Sequence, residues 1–404
     1  MTAVDHPGPG VNIPDAFARS GVTAARGFRA AGAASGIKPT GALDLSVVVA
    51  DAACPAAAVF TTSLAPAPPV ELDRQRVEAG PIRALIVNSG VANAGTGAAG
   101  TADARAMGAS LAGALACPDD QVLVCSTGVI GPRVPVERVS AAVPGLVAAL
   151  GSDPDHATAA ARGIMTTDSV PKQAEVHGDG WVVGGMAKGA GMLRPDMATM
   201  LAFLTTDAVA SADVLGAALR RATASTFNCL NVDGCQSTND TVILMASGAS
   251  GVEPGTQELE DALTRLCADL ALQMAVDAEG ATKVVHIEVD GTADDDAARR
   301  LGRQVADSAL VRSAFHGSDP NWGRVLAALG VAGVAIDQAA VEIAFDGTVV
   351  CRHGAAVDCD EDELSARLAG DFTVTCTVGA GPGSAVIVTT DLTPDYVVFN
   401  SERS

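Results

Sequence analysis

The sequence predicts an α/β fold in which mixed sheets are sandwiched by helices. Three observations carry this. Short β-rich runs alternate with helix-forming stretches along the chain. Hairpin signals recur, which a purely parallel sheet would not contain. The composition is rich in Ala and Gly with 3% aromatic and 18% charged residues, the texture of a soluble enzyme rather than a fibrous or disordered chain. With 404 residues the chain can fill more than one core.

Residues 1–26 read as a loose lead-in. The segments 43–49, 58–60, 82–88 and 122–126 are β-rich runs separated by Gly, Pro and Asn turns. Between the last two, 101–117 carries helix formers with Thr101 available as a cap. Ser211 opens a second helix that runs to about Thr226. A third begins at Thr256, where Leu259, Leu263, Leu266, Leu270 and Met274 recur on one face. Val285, Ile287 and Val289 then alternate with His286, Glu288 and Asp290, the period of a half-buried strand. Segments 341–345 and 348–351 flank Asp346-Gly347, a hairpin signal. Phe372, Val374, Cys376 and Val378 alternate again, and 385–390 is the last strand. No fixed-period repeat interrupts this order.

A net charge of −21 argues against nucleic acid, which needs a concentrated basic surface. Nine scattered cysteines without a Cys-x-x-Cys pair fit reduced thiols better than a disulfide framework or a zinc site. The first ten residues lack the basic head and apolar core of a secretion signal, and the longest apolar stretch, 325–336, is too short to span a bilayer. These features predict a soluble cytoplasmic protein. The six histidines lack metal spacing and an obvious Ser or Cys partner, so neither a metal centre nor a His-based triad is expected. Gly379-Ala-Gly-Pro-Gly-Ser384 lacks the Gly-Lys-Ser/Thr ending of a phosphate loop and reads as a turn.

The most informative segment is Lys188-Gly-Ala-Gly-Met-Leu-Arg-Pro-Asp-Met-Ala-Thr-Met200, followed by the apolar run 201–204. Read alone, Thr199 is a threonine entering a strand. The segment resembles the self-cleavage site of the ornithine acetyltransferase family, whose members cut themselves just before this threonine. Six more segments match that family in order: Asn88-Ser-Gly-Val-Ala-Asn-Ala-Gly-Thr-Gly97, Cys125-Ser-Thr-Gly-Val-Ile-Gly131, Ile164-Met-Thr-Thr-Asp-Ser-Val-Pro-Lys172, Asn231-Val-Asp-Gly-Cys-Gln-Ser-Thr-Asn-Asp240, Asp277-Ala-Glu-Gly-Ala-Thr-Lys283 and Gly317-Ser-Asp-Pro-Asn-Trp-Gly-Arg324. The resemblance covers the chain from about residue 27 to its end and implies an N-terminal-nucleophile type of fold.

It also implies residue roles. Cleavage between Ala198 and Thr199 would give an alpha chain, 1–198, and a beta chain, 199–404, with Thr199 as the new terminus. A threonine hydroxyl is a poor nucleophile near neutral pH, but its own α-amine can take the proton as general base. Thr127 and Gly128 match the family's oxyanion hole, where fixed donors meet charge developing on the acetyl oxygen. On its own, Ser-Thr-Gly after a strand is a turn. Thr166, Lys188, Thr199, Glu279, Asn400 and Ser404 match substrate-binding positions. A cation at Lys188 could hold the substrate carboxylate, and Glu279 could attract the ornithine side-chain ammonium. By residue type alone, Lys188 and Glu279 read as solvated loop charges. The chain departs from the family at its end, where Arg403 replaces a tyrosine and one residue is missing, and at 60–69, where many relatives carry a basic residue near position 64.

The resemblance therefore implies acetyl transfer from N2-acetyl-L-ornithine to L-glutamate through acetyl-Thr199, in the cyclic route to arginine. It implies no cofactor, acetyl-CoA as a further candidate donor, and an assembly of two alpha and two beta chains. The rival readings are an N-terminal-threonine amidohydrolase or aminopeptidase, a paralogue in specialised metabolism, and an inactive small-molecule-binding protein.

Overall fold

The computed structural model describes residues 20–193 and 200–401. Thr199, Ala198 and Ser404 lie outside the described residues. The chain divides into two compact units. One contains the described residues up to Asn228 together with Cys235–Met274. The other contains Cys229–Gly234 and the described residues from Ala275 onward.

The strands in chain order are β1 (Phe28–Ala33), β2 (Leu45–Cys54), β3 (Ala56–Phe60), β4 (Ile82–Val91), β5 (Val122–Val129), β6 (Lys172–His177), β7 (Val182–Lys188), β8 (Leu201–Thr206), β9 (Leu230–Asn231) and β10 (Thr241–Ala246). In the first unit, β1-β2-β4-β5 make one sheet, with β4 and β5 parallel, and β3-β10-β8-β7-β6 make a second, with β10 and β8 parallel. Both are mixed sheets, as expected.

Alternation along the strands gives the first sheet two apolar faces. Val47, Val49, Ile86 and Val124 pack on Met107 and Leu111 of the helix Gly97–Leu115 and on Val139, Val143 and Leu146 of the helix Val136–Ala148. Val48, Leu85 and Leu123 share a core with Met186, Phe203 and Ile243 of the second sheet and with Ala157, Ala160 and Ile164 of the helix Pro154–Ile164. The helix Thr256–Val276 buries Leu259, Leu263, Leu266, Leu270 and Met274, the predicted ladder. Its Gln273 exchanges hydrogen bonds with the Gln173 backbone of β6, accepting from the N–H and donating to the carbonyl.

The second unit holds one seven-stranded sheet. It includes the predicted strand Val284–Thr292, with Val285, Ile287 and Val289 buried, and the strands Phe372–Thr377 and Gly383–Thr390. The Asp346-Gly347 hairpin forms, with both residues at positive φ (45° and 76°) as a two-residue turn requires. Residues 379–382 connect the strands as a turn, while Gly383 and Ser384 already belong to the last strand, which starts two residues before the expected 385.

Several boundaries differ from the sequence reading: β2 runs to Cys54 rather than to 49 and β4 to Val91 rather than to 88, and three further differences bear on the packing and the site. Among residues 1–26, positions 20–26 are not a loose lead-in: Val22 and Ala25 are fully buried, and the Val22 carbonyl accepts from Thr205 Oγ1. The helix Gly97–Leu115 starts at Gly97, not near Thr101, because Asn93 organises its first turn. The Asn93 amide donates to the Gly100 carbonyl at 2.9 Å, and its Oδ1 accepts the Thr96 hydroxyl at 2.9 Å. Strand β5 continues through Val129 rather than stopping at Ser126.

Candidate active site

That extension of β5 changes the setting of Thr127 and Gly128: both lie in a strand, not in a loop after one. Ser89 pairs with Thr127 and Gly90 with Gly128, and the register then slips at Val91. The bulge is possible because Gly128 sits at φ +130°, and a Cβ there would lie 2.3 Å from the Gly90 carbonyl carbon. Thr127 is buried and Gly128 is exposed. Behind them, the Asn88 side chain accepts the Ser126 hydroxyl at 2.6 Å and donates to the Val91 carbonyl at 2.8 Å. The end of β5 is therefore tied to β4 by side-chain and backbone hydrogen bonds, with Gly128 exposed.

Lys188 is the last residue of β7 and is buried, not the solvated charge that its residue type suggests. Its Nζ donates to Thr127 Oγ1 at 3.3 Å. A hydroxyl that accepts from an ammonium keeps its own proton for donation, which suits Thr127 to an oxyanion. Thr166, half-buried just beyond the helix Pro154–Ile164, connects to the same group through Asp168. The fully buried Asp168 carboxylate accepts the Thr166 N–H at 3.0 Å, the Gly189 N–H at 2.8 Å and Lys172 Nζ at 2.7 Å. Burial alone would raise this carboxyl, but the Lys172 and Lys188 ammoniums outweigh it and hold it well below the usual carboxylate range. Lys38 Nζ donates to the carbonyls of Leu43 and Met165, both at 2.7 Å. Burial lowers its pKa against the opposing pull of Asp44 and Asp168.

The family-like segments 164–172 and 231–240 contain Asp168, Lys172, Asn239 and Asp240, but none of these four carried an expected role. Asn239 Nδ2 donates to the carbonyls of Ala92 and Ser126, and Asp240 Oδ1 accepts the Met200 N–H at 2.7 Å. The available signal was the pair of polar residues directly before the apolar strand β10.

Within the second unit, Glu279 and Asn400 meet: Asn400 Nδ2 donates to Glu279 Oε2 at 3.1 Å and to the Tyr396 carbonyl at 3.0 Å. Gly280 makes this approach possible. It sits at φ +65°, and a Cβ would lie 2.4 Å from the Tyr396 backbone nitrogen. The Thr393 hydroxyl donates to the Gly280 carbonyl at 2.6 Å and accepts the Tyr396 N–H, fixing the start of the helix Pro394–Ser401. Lys283, from the same segment, donates to the carbonyls of Phe315, His316 and Leu368 and to the Ser318 hydroxyl. The segments 277–283 and 317–324 are thus tied together by one ammonium.

A model of the ArgJ family matches residues 29–404. An arginine biosynthesis bifunctional protein ArgJ from Thermobifida fusca is 49% identical over 384 residues, covering 95% of this chain and 99% of that protein. One from Mycobacterium tuberculosis (strain H37Rv) is 48% identical over 392 residues, covering 95% and 96%. Among solved structures, ornithine acetyltransferase complexed with ornithine from Mycobacterium tuberculosis is 47% identical, covering 44% of this chain and 96% of that one, with a TM-score of 0.43. An ArgJ structure from Bacillus halodurans is 38% identical, covering 49% and 97%, with a TM-score of 0.48.

Proposed function

The chain belongs to the ArgJ family of arginine-biosynthesis proteins, and from that premise we propose that it transfers acetyl from N2-acetyl-L-ornithine to L-glutamate through an ester on Thr199. The observation that carries the reading is the contact of buried Lys188 with Thr127, one residue before the exposed Gly128 at the bulged end of β5. Cleavage between Ala198 and Thr199 supplies the nucleophile.

The Thr199 α-amine takes the hydroxyl proton as Oγ attacks the acetyl carbonyl. Thr127 and Gly128 donate to the oxygen that becomes negative, at about 2.7–4 kcal/mol for each donor. The carbon–nitrogen bond breaks, the proton passes to the departing ornithine amine, and acetyl-Thr199 remains. The glutamate amine attacks this ester, its proton passes by way of the Thr199 amine to Oγ as the acyl carbon–Oγ bond breaks, and N-acetylglutamate leaves with the Thr199 hydroxyl restored. Lys188, Thr166, Glu279, Asn400 and Ser404 are the residues assigned to orient the amino acid. The chemistry needs no metal and no bound organic cofactor. The second activity of a bifunctional enzyme would be acetylation of glutamate from acetyl-CoA. Nine cysteines free of disulfides fit a reducing cytoplasm. The mature assembly is two alpha and two beta chains.

The test is to incubate purified protein with acetyl-labelled N2-acetyl-L-ornithine and L-glutamate. Labelled N-acetylglutamate, parallel double-reciprocal lines and one acetyl group on a fragment beginning Thr-Met-Leu-Ala are expected. Release of labelled acetate alone, whether or not glutamate is present, would instead identify an amidohydrolase. A parallel assay with acetyl-CoA separates one activity from two.

A further inference from the structure

Asn239 and Asp240 stand side by side at the entry to β10, and each grips a different part of the site. The Asn239 amide donates to the Ser126 carbonyl at 2.9 Å and the Ala92 carbonyl at 2.7 Å. The Ser126 carbonyl belongs to the planar peptide whose N–H is that of Thr127, so this bond sets the plane leading into the oxyanion segment. The Ala92 carbonyl lies just past the bulge at Val91, and the Ala92 N–H donates to Val129 across it. Asn239 cannot rotate away. Its Oδ1 accepts the Thr238 hydroxyl at 2.6 Å, and its own N–H donates to Ser237 Oγ at 3.1 Å.

Asp240 faces the other way. Its Oδ1 accepts the Met200 N–H, and its carbonyl accepts the Thr61 N–H at 2.9 Å. The side chain is fully buried, and Oδ2 has no partner among the described residues. Burial pushes the carboxyl well above the usual range, against the Met200 N–H and the charge of Lys188. The contact that matters for position is the one from the Met200 N–H to Oδ1. Packing alone would favour an apolar side chain in such a place.

We propose that Asn239 and Asp240 are positioning residues that set the separation between the acetyl-accepting hydroxyl and the oxyanion donors. Residue 239 holds the Thr127–Gly128 segment, and residue 240 holds the backbone that directly follows Thr199. Because the two are joined by one peptide, the two halves of the chemistry share a single rigid reference instead of separate loops. The inference rests on the acyl-transfer reading above.

The experiment uses the full-length protein with Asn239→Ala, Asp240→Asn and Asp240→Ala. Acylation is followed with p-nitrophenyl acetate, an activated ester that needs no amino-acid pocket, and transfer with N2-acetyl-L-ornithine and glutamate. A displacement of about 1 Å costs about a hundredfold, so Asn239→Ala should lower kcat by about that factor in both assays while KM for acetylornithine moves less than about threefold. Asp240→Asn keeps the acceptor for the Met200 N–H and should retain far more kcat than Asp240→Ala. Wild-type kcat in Asn239→Ala, a loss confined to KM, or equal losses in the two Asp240 variants would overturn the proposal. Should Asn239→Ala fail to fold, Asn239→Asp, which keeps the shape and one donor when protonated, is expected to show intermediate kcat, and wild-type kcat there overturns it. A wild type that reacts with the ester but never makes N-acetylglutamate defeats only the acyl-transfer reading, and the ester assay still decides this one. A wild type inert in both assays defeats both.

Discussion

Lys188 Nζ lies 3.3 Å from Thr127 Oγ1, joining the end of β7 to the end of β5 inside a buried site. Under the proposed mechanism, one ammonium would face both a substrate carboxylate and the hydroxyl assigned to the oxyanion. Lys188→Met, which keeps the length but not the charge, should raise KM for acetylornithine by about ten- to a hundredfold, since a charged hydrogen bond contributes about 1.5–3 kcal/mol. Thr127→Ala should instead lower kcat by about 10²–10³, with Thr127→Ser recovering most of it. Steady-state kinetics on cleaved protein separates the two effects.

Gly128→Ala tests the bulge between β4 and β5. The added methyl would meet the Gly90 backbone at 2.3 Å from a φ of +130°. Backbone strain and overpacking each cost about 1–3 kcal/mol. The variant should melt earlier in urea and lose turnover together, unlike Thr127→Ser, which should melt as the wild type does.

Asp168 is held ionised by two lysines, and Lys172 is buried with it. Removing one partner of a buried pair costs about 3–5 kcal/mol, so Asp168→Ala should destabilise the protein by that order and free the Thr166 and Gly189 amides. The sign of the pH effect follows from the lowered pKa: the stabilisation is present above the ordinary carboxylate range and fades as pH falls below it. Urea melts from pH 7 down to pH 3 should show that acid slope in the wild type and a shallower one in Asp168→Ala.

Asp73 should behave in the opposite sense. Burial raises its carboxyl to about 8, despite the Val124 N–H and Arg76. The folded state then keeps a proton that the unfolded chain loses, so this group's contribution declines from the ordinary carboxylate range up to about pH 8. Asp73→Asn removes that decline. Its stability relative to the wild type should grow between pH 5 and pH 8, read from denaturant midpoints, and a constant difference would refute the assignment.

The two pieces of a cleaved chain should migrate together. Lys188 pairs with Leu201 and Val183 with Thr206, so β7 and β8 form a ladder across the proposed cut. Native light scattering should show both fragments in one species, and denaturing gels should show two bands.

Regular periodicity was the legible part of the fold. The leucine ladder of 256–276 and the turn at Asp346-Gly347 formed where alternation and turn chemistry pointed. β7 was invisible because all seven of its residues are buried, leaving no alternation to read. The end of β5 was misjudged because Gly128 ordinarily signals a turn, whereas here it permits a bulge. In the site, motif resemblance picked out Thr127 and Lys188. Asn239 escaped because its partners, Ser126 and Ala92, stand 113 and 147 positions away, and Asp168 because its importance lies in three donors that converge only after folding.

In the second sheet, the β10–β8 pair lies between β3 on one side and β7 on the other. Before scission, unfolding and refolding are events of a single molecule. A cut between Ala198 and Thr199 makes refolding a second-order encounter between two polypeptides, each lacking strands that the other supplies. Maturation would therefore act as a ratchet. Precursor unfolding can be reversible, but mature protein denatured at low concentration should recover slowly or not at all, and its apparent melting point should rise with concentration.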